Sequence, residues 1–174
     1  MAEYTEEQKA AQRERKAAVT ARMTELLGRA ARGEITGEES TELAGIFGNG
    51  VPGLDRTLGV RYVAFAPEVA VELEITDAHV QPWGITNGGI YASLGESAGS
   101  FAGYIAAGGE ASVMGVTNST NFLRPSMPGD VVRSTAHAVH TGRTSQLWRI
   151  DHVNAASGKV AWSKNSTSQR EASR

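Results

Sequence analysis

The chain contains no cysteine. Disulfides, thiolate nucleophiles and cysteine-bound zinc are therefore excluded. It has no apolar run long enough to span a bilayer. Residues 1–30 are charged and alanine-rich, without the apolar centre that a signal peptide needs, so a cytoplasmic protein is expected. Charge of one sign is not in excess. The formal net charge of −2 predicts no general pull toward nucleic acid or membrane, and neither is expected as a partner. His79, His137, His140 and His152 are scattered without metal-ligand spacing. They read as surface or packing residues, and no metal or other cofactor is expected. No internal repeat or low-complexity tract stands out.

What is present suits one domain with an appendage. Of 174 residues, 40% are hydrophobic, enough to bury a core. Residues 5–32 read as a helix with a narrow apolar stripe through Val19, Met23, Leu26, Leu27 and Ala30. A short helix over 38–47 follows, with Thr36 or Ser40 as its cap and Gly48-Asn49-Gly50 as its end. Val51-Pro52-Gly53 marks a boundary. Glu68–Ile75 alternates, placing Val69, Val71, Leu73 and Ile75 on one face of a half-buried strand. Residues 58–65 read as its partner, turned at Ala66-Pro67. The alternation breaks over 88–107, which fits a helix. Strands resume near 112–123, 130–140, 144–154 and 159–169. One long helix against an antiparallel sheet predicts an α+β layer architecture, the sheet wrapped around the helix.

That central helix is unusual. Gly95, Gly99 and Gly103 recur every fourth residue. Three interior glycines cost about 3 kcal/mol relative to alanine, so close packing must offset them. Among these small residues stands Glu96, with no Lys or Arg within two helical turns. An ionised carboxylate is rarely buried unpaired, and in such a setting its presence points to function. Ser100, at i+4, shares its face. Before the helix, Gln81-Pro-Trp-Gly-Ile-Thr-Asn87-Gly88-Gly89 ends on free N–H groups at a helix N-terminus, the geometry that holds a developing oxyanion.

These residues together resemble the hotdog-fold acyl-CoA thioesterases. The matching branch contains 4-hydroxybenzoyl-CoA thioesterase and 1,4-dihydroxy-2-naphthoyl-CoA hydrolase. Its signature is Gln-x-x-Gly-x-x-His-Gly-Gly with a Glu seven residues after the second Gly. Here it reads Gln81 to Gly89 followed by Glu96, with Asn87 in place of the His. The segments Asn121–Pro125, His140–Thr144 and Gln146–Trp148 match in order and spacing, and the resemblance covers about residues 58–168.

The resemblance implies an N-terminal helical extension over 1–52, a hotdog domain over 53–170 and a tail over 171–174. It implies an acyl-CoA substrate, with coenzyme A entering as part of it. Glu96 is implied as nucleophile or general base, the Gly88 N–H as oxyanion donor, and Gln81, Asn87 and Ser100 as further catalytic groups. Gly89, Trp83, Tyr91, Arg124, Arg143 and Thr144 are implied as substrate-binding residues. Tyr104 and Phe101 join Trp83 and Tyr91 as aromatic candidates for an acyl pocket. The resemblance also implies a homodimer or homotetramer, with helices side by side and sites at the subunit boundary. An aromatic acyl group is the first expectation. A phenylacetyl-like or medium-chain acyl-CoA remains open, as does a non-catalytic acyl-CoA-binding domain.

Overall fold

The computed structural model describes residues 5–50, 53–66, 68–109, 112–158 and 160–171. Helix α1 (Glu6–Ala31) and helix α2 (Gly37–Gly50) form a hairpin. Thr5 caps α1 in a reciprocal capping box with Gln8. At the start of α2, the Thr36 hydroxyl accepts from the Glu39 N–H while the Glu39 carboxylate accepts from the Thr36 N–H. Thr36 therefore does the capping. That N–H holds Glu39 below its ordinary pKa, and hydrogen bonding to Arg22 does the same for Glu42. Any stability these carboxylates add is present above the ordinary Glu range and fades as pH falls through their lowered values. Glu42 is exposed and Glu39 half-buried at the surface, so the contribution is small.

A short helix α3 (Leu54–Leu58) precedes strands β1 (Arg61–Ala64) and β2 (Val69–Glu74). The strand expected over 58–65 is shortened, because Gly59, at φ 80°, closes α3 first. A 3-10 turn (Asp77–His79), helix α4 (Gly88–Ala106) and strands β3 (Val113–Phe122), β4 (Val131–Thr141), β5 (Ser145–Asn154) and β6 (Val160–Glu171) complete the chain. Val51, Pro52 and Pro67 of the expected turns lie outside the described residues, as does the expected tail beyond Glu171.

The six strands form one antiparallel sheet in the order β1-β2-β4-β5-β6-β3, and α4 packs against five of them. The expected architecture of a sheet wrapped around one long helix is what the chain adopts. Strand β5 alternates as a one-sided strand should, sending Gln146, Trp148, Ile150 and His152 inward. Strand β2 departs from the half-buried expectation, since Ala70 and Glu72 are buried along with Val69, Val71 and Leu73. Glu72 lies level with Arg61 of β1 and Arg133 of β4, whose guanidinium groups sit 3.0 and 2.5 Å from its two oxygens. That double pairing is what makes its burial tolerable.

The core joins Leu94 of α4 to Val71, Val132 and Ile150 of the sheet, all fully buried. Gly95, Gly99 and Gly103 lie on the buried side of α4, and Gln146 of β5 reaches the Gly103 carbonyl at 3.2 Å. The extension adds Leu26, Leu27 and Leu43 to the same core. Replacing Leu94 with Ala is expected to lower the unfolding free energy by about 2–5 kcal/mol, read from urea denaturation.

Candidate active site

The loop before α4 is tied down along its length. Gly84, at φ 77°, lets the chain turn so that the Gln81 N–H reaches the Ile85 carbonyl at 2.8 Å. The Asn87 N–H donates to the His79 carbonyl at 2.8 Å. Thr86 and Tyr91 both converge on buried Ser126, each with its hydroxyl 2.6 Å from the serine Oγ. Burial raises the Tyr91 phenol above its ordinary pKa, so it remains a hydroxyl donor.

Asn87 is the N-cap of α4. Its side-chain oxygen accepts from the Gly89 N–H at 2.8 Å. This accounts physically for an Asn at a position where the family signature carries His, because Asn is among the strongest N-caps. The cap takes the second N–H of the helix, and the Gly88 N–H is among the first-turn donors that have no intrahelical partner. The Phe122 ring lies over Gly88, and a Cβ there would come within 2.7 Å of it. Asn87→Ala is expected to cost about 1 kcal/mol of stability in thermal or urea unfolding.

Two turns into α4, half-buried Glu96 faces a cavity of about 610 Å³. Ser100 Oγ donates to Oε1 at 3.4 Å, and Asn118 Nδ2 of β3 donates to Oε2 at 3.3 Å. The same amide donates to the Ala92 carbonyl at 3.0 Å. No Lys, Arg or His among the residues whose side chains are described lies within ion-pair distance of Glu96. Strand β3 crosses directly over the carboxylate at Gly115, where a Cβ would collide with Oε1 and lie 3.2 Å from Cδ. Neither Gly115 nor Asn118 was anticipated. A glycine inside a strand is the available signal, since it marks a close approach.

The remaining residues implied for substrate binding are not gathered here. Trp83 is 80% exposed on the loop. Tyr91 is in the core, edge-on to buried His152. Tyr104 donates to the Gly109 carbonyl. Phe101 does line the cavity, with Phe47 and Tyr62. Arg143 and Thr144 border a separate cavity of about 310 Å³ beside Ala106 and Ala107, at the C-terminal end of α4. That is about 15 Å along the helix from Glu96. Arg124 follows β3, whose end lies over Gly88 at the opposite end of α4. Successive antiparallel strands finish at alternate ends of the sheet, which separates these arginines within one chain.

Three of the four histidines have structural partners. His79 accepts from the Thr76 N–H at Nδ1 and donates from Nε2 to the Leu58 carbonyl. His137 meets Glu68 at 2.7 Å, and His152 meets Ser134 at 2.7 Å. No cluster able to hold a metal occurs among the described residues, and no helix there is long and apolar enough to cross a membrane.

Known proteins are similar to this chain in sequence and fold. Residues 84–161 match the family model of the thioesterase superfamily. A 1,4-dihydroxy-2-naphthoyl-CoA hydrolase of Listeria monocytogenes is 32% identical over 99 residues, covering 56% of this chain and 80% of that protein. The crystal structure of S. sahachiroi AziG is 30% identical with a TM-score of 0.64, covering 69% of this chain and 96% of that one. That of a Haemophilus influenzae thioesterase is 25% identical with a TM-score of 0.67, covering 79% and 91%.

Proposed function

The chain belongs to the thioesterase superfamily and has its hotdog fold, and on that premise we propose that it hydrolyses an acyl-coenzyme A thioester with Glu96 as the reactive carboxylate. The observation that carries this reading is a carboxylate with no cationic partner among the residues whose side chains are described, lining a cavity large enough for an acyl group. An ion-paired Glu would be held by its cation. Here two long hydrogen bonds from neutral groups orient the carboxylate and leave its charge available.

Two routes use the same geometry. In one, Glu96 takes a proton from water as the oxygen adds to the thioester carbonyl. The C–S bond then breaks and coenzyme A leaves as a thiolate that takes up a proton. In the other, Glu96 adds to the carbonyl, expels the thiolate and forms a mixed anhydride that water cleaves. Both develop negative charge on the carbonyl oxygen, and the Gly88 N–H at the positive end of α4 is the proposed donor to it. Gln81, on the same loop, is proposed to help hold the thioester or water. Asn87 fits this scheme, because capping the helix needs a hydrogen-bond acceptor and no cationic ring.

The reading includes a homodimer joined along β3. That strand has a neighbour only on its β6 side, and Met114, Val116 and Phe122 on it are about 60% exposed. An open apolar edge of this kind invites a second copy. Glu96 lies directly beneath it, so the site would sit at the subunit boundary. The test of the function is thiol release from a panel of aryl-, arylacetyl- and fatty acyl-CoAs. Turnover is expected for at least one aryl member, and no release from any acyl-CoA would end the proposal.

A further inference from the structure

Asparagine is depleted from strand interiors, because its amide competes for backbone hydrogen bonds and packs poorly on a pleated surface. Asn118 nevertheless stands in the middle of β3, between Val113 and Phe122. Its side chain reaches across to α4. The Nδ2 amide donates to the Ala92 carbonyl at 3.0 Å and to Glu96 Oε2 at 3.3 Å, and Thr120 Oγ1 donates to Oδ1 at 3.3 Å.

Those partners fix the amide in one orientation. A carbonyl and a carboxylate can only accept, so both must face the nitrogen. Ala92 lies one turn before Glu96, and its carbonyl is the helical acceptor for the Glu96 N–H. One amide therefore grips the backbone turn and the side chain of the same residue. Ser100, the other donor to Glu96, sits on α4 and moves with it. Among the residues whose side chains are described, Asn118 is the one donor to Glu96 from another element. Its bond is long at rest, and hydrogen bonds of a reacting group commonly tighten once substrate is in place.

Resting on the thioesterase reading of Glu96, we propose that Asn118 is a positioning residue, which holds the Glu96 carboxylate against β3 and sets its reach toward the thioester carbonyl. Gly115 and Asn118 then divide the task. Gly115 makes room for Oε1 under the strand, and Asn118 anchors Oε2. A purely structural Asn118 would only tie β3 to the Ala92 carbonyl, and its loss would be felt whatever group stood at residue 96. A positioning Asn118 acts through the carboxylate, so its effect on rate vanishes once the carboxylate is gone.

The experiment is a double-substitution cycle on the full chain, read as kcat and KM for thiol release from benzoyl-, phenylacetyl- and decanoyl-CoA, with crystal structures of the native chain and Asn118→Ala. Asn118→Ala is expected to lower kcat by about 10- to 100-fold with KM within about 2-fold, since a misplacement of about 1 Å costs about 100-fold. In the Glu96→Gln background the same change should move the residual turnover by less than about 3-fold. Asn118→Asp, which keeps the shape but only accepts when ionised, should lose at least as much as Asn118→Ala. Asn118→Val, suited to a strand, carries the test if Asn118→Ala does not fold. Equal losses in both backgrounds, or full turnover by Asn118→Ala where Glu96→Gln is impaired, overturn the proposal and leave the Glu96 reading standing. Full turnover by Glu96→Gln refutes both. If no acyl-CoA is cleaved, the thioesterase reading falls and the crystal structures decide the rest. A Glu96 carboxylate displaced by about 1 Å or more in Asn118→Ala upholds Asn118 as its anchor, and one that has not moved overturns it.

Discussion

Glu96→Gln is expected to lower thioester hydrolysis by about 10²- to 10⁴-fold, the usual contribution of a positioned general acid or base. Gln keeps the size of the side chain and its oxygen can still accept from Ser100 or Asn118, but it can neither take a proton from water nor form an anhydride. Folding should survive. Among the residues whose side chains are described Glu96 has no ion pair to lose, and its hydrogen bonds to Ser100 and Asn118 are long, at 3.4 and 3.3 Å. The measurement is thiol release under saturating substrate, with circular dichroism and thermal unfolding as controls. A variant that folds and retains full turnover would remove Glu96 from the chemistry.

Gly115→Ala tests the same carboxylate from the opposite side. A methyl group on β3 would occupy the space of Oε1 and approach Cδ to 3.2 Å. The carboxylate is the flexible end of a helical side chain, while β3 is held to β6 along its length. Glu96 is therefore the partner that moves. Displacement of a reactive group by about 1 Å typically costs about 100-fold in rate. The expected result is a fall of that order in kcat, with KM and melting temperature little changed. An unaltered kcat would mean that the position Glu96 occupies beneath β3 is not the one it works from. Alanine is otherwise no less suited to a strand than glycine, so a loss of activity would trace to the clash.

The elements were legible because their patterns are local. Alternation through Val69, Val71, Leu73 and Ile75 announced a strand, and the break in alternation after Gly88 announced α4. The strand expected over 58–65, which forms only over Arg61–Ala64, shows the limit of such reading. Leu58 and Val60 continue an apolar pattern, yet the left-handed Gly59 closes a helix there. Sequence also marked Glu96, since a carboxylate among small residues is anomalous wherever the helix packs. The cavity lining was not legible in this way: Phe47 and Asp55 carry no local signal, and Arg143 and Thr144, implied by the family resemblance, border a different cavity within this chain.

What the sequence determined by itself was therefore the succession of helices and strands, the glycine-rich face of α4, and the identity of the lone acid on it. Periodicity and the placement of charge are properties of neighbouring residues and survive any packing. Only the tertiary structure decided that Gly115 covers that acid, that Asn87 is a cap, and that Asp55 meets Ser97 across 42 residues of chain. Those contacts depend on strand register and on how α3 settles against the sheet. No local pattern encodes a distance between segments that meet only when the core closes.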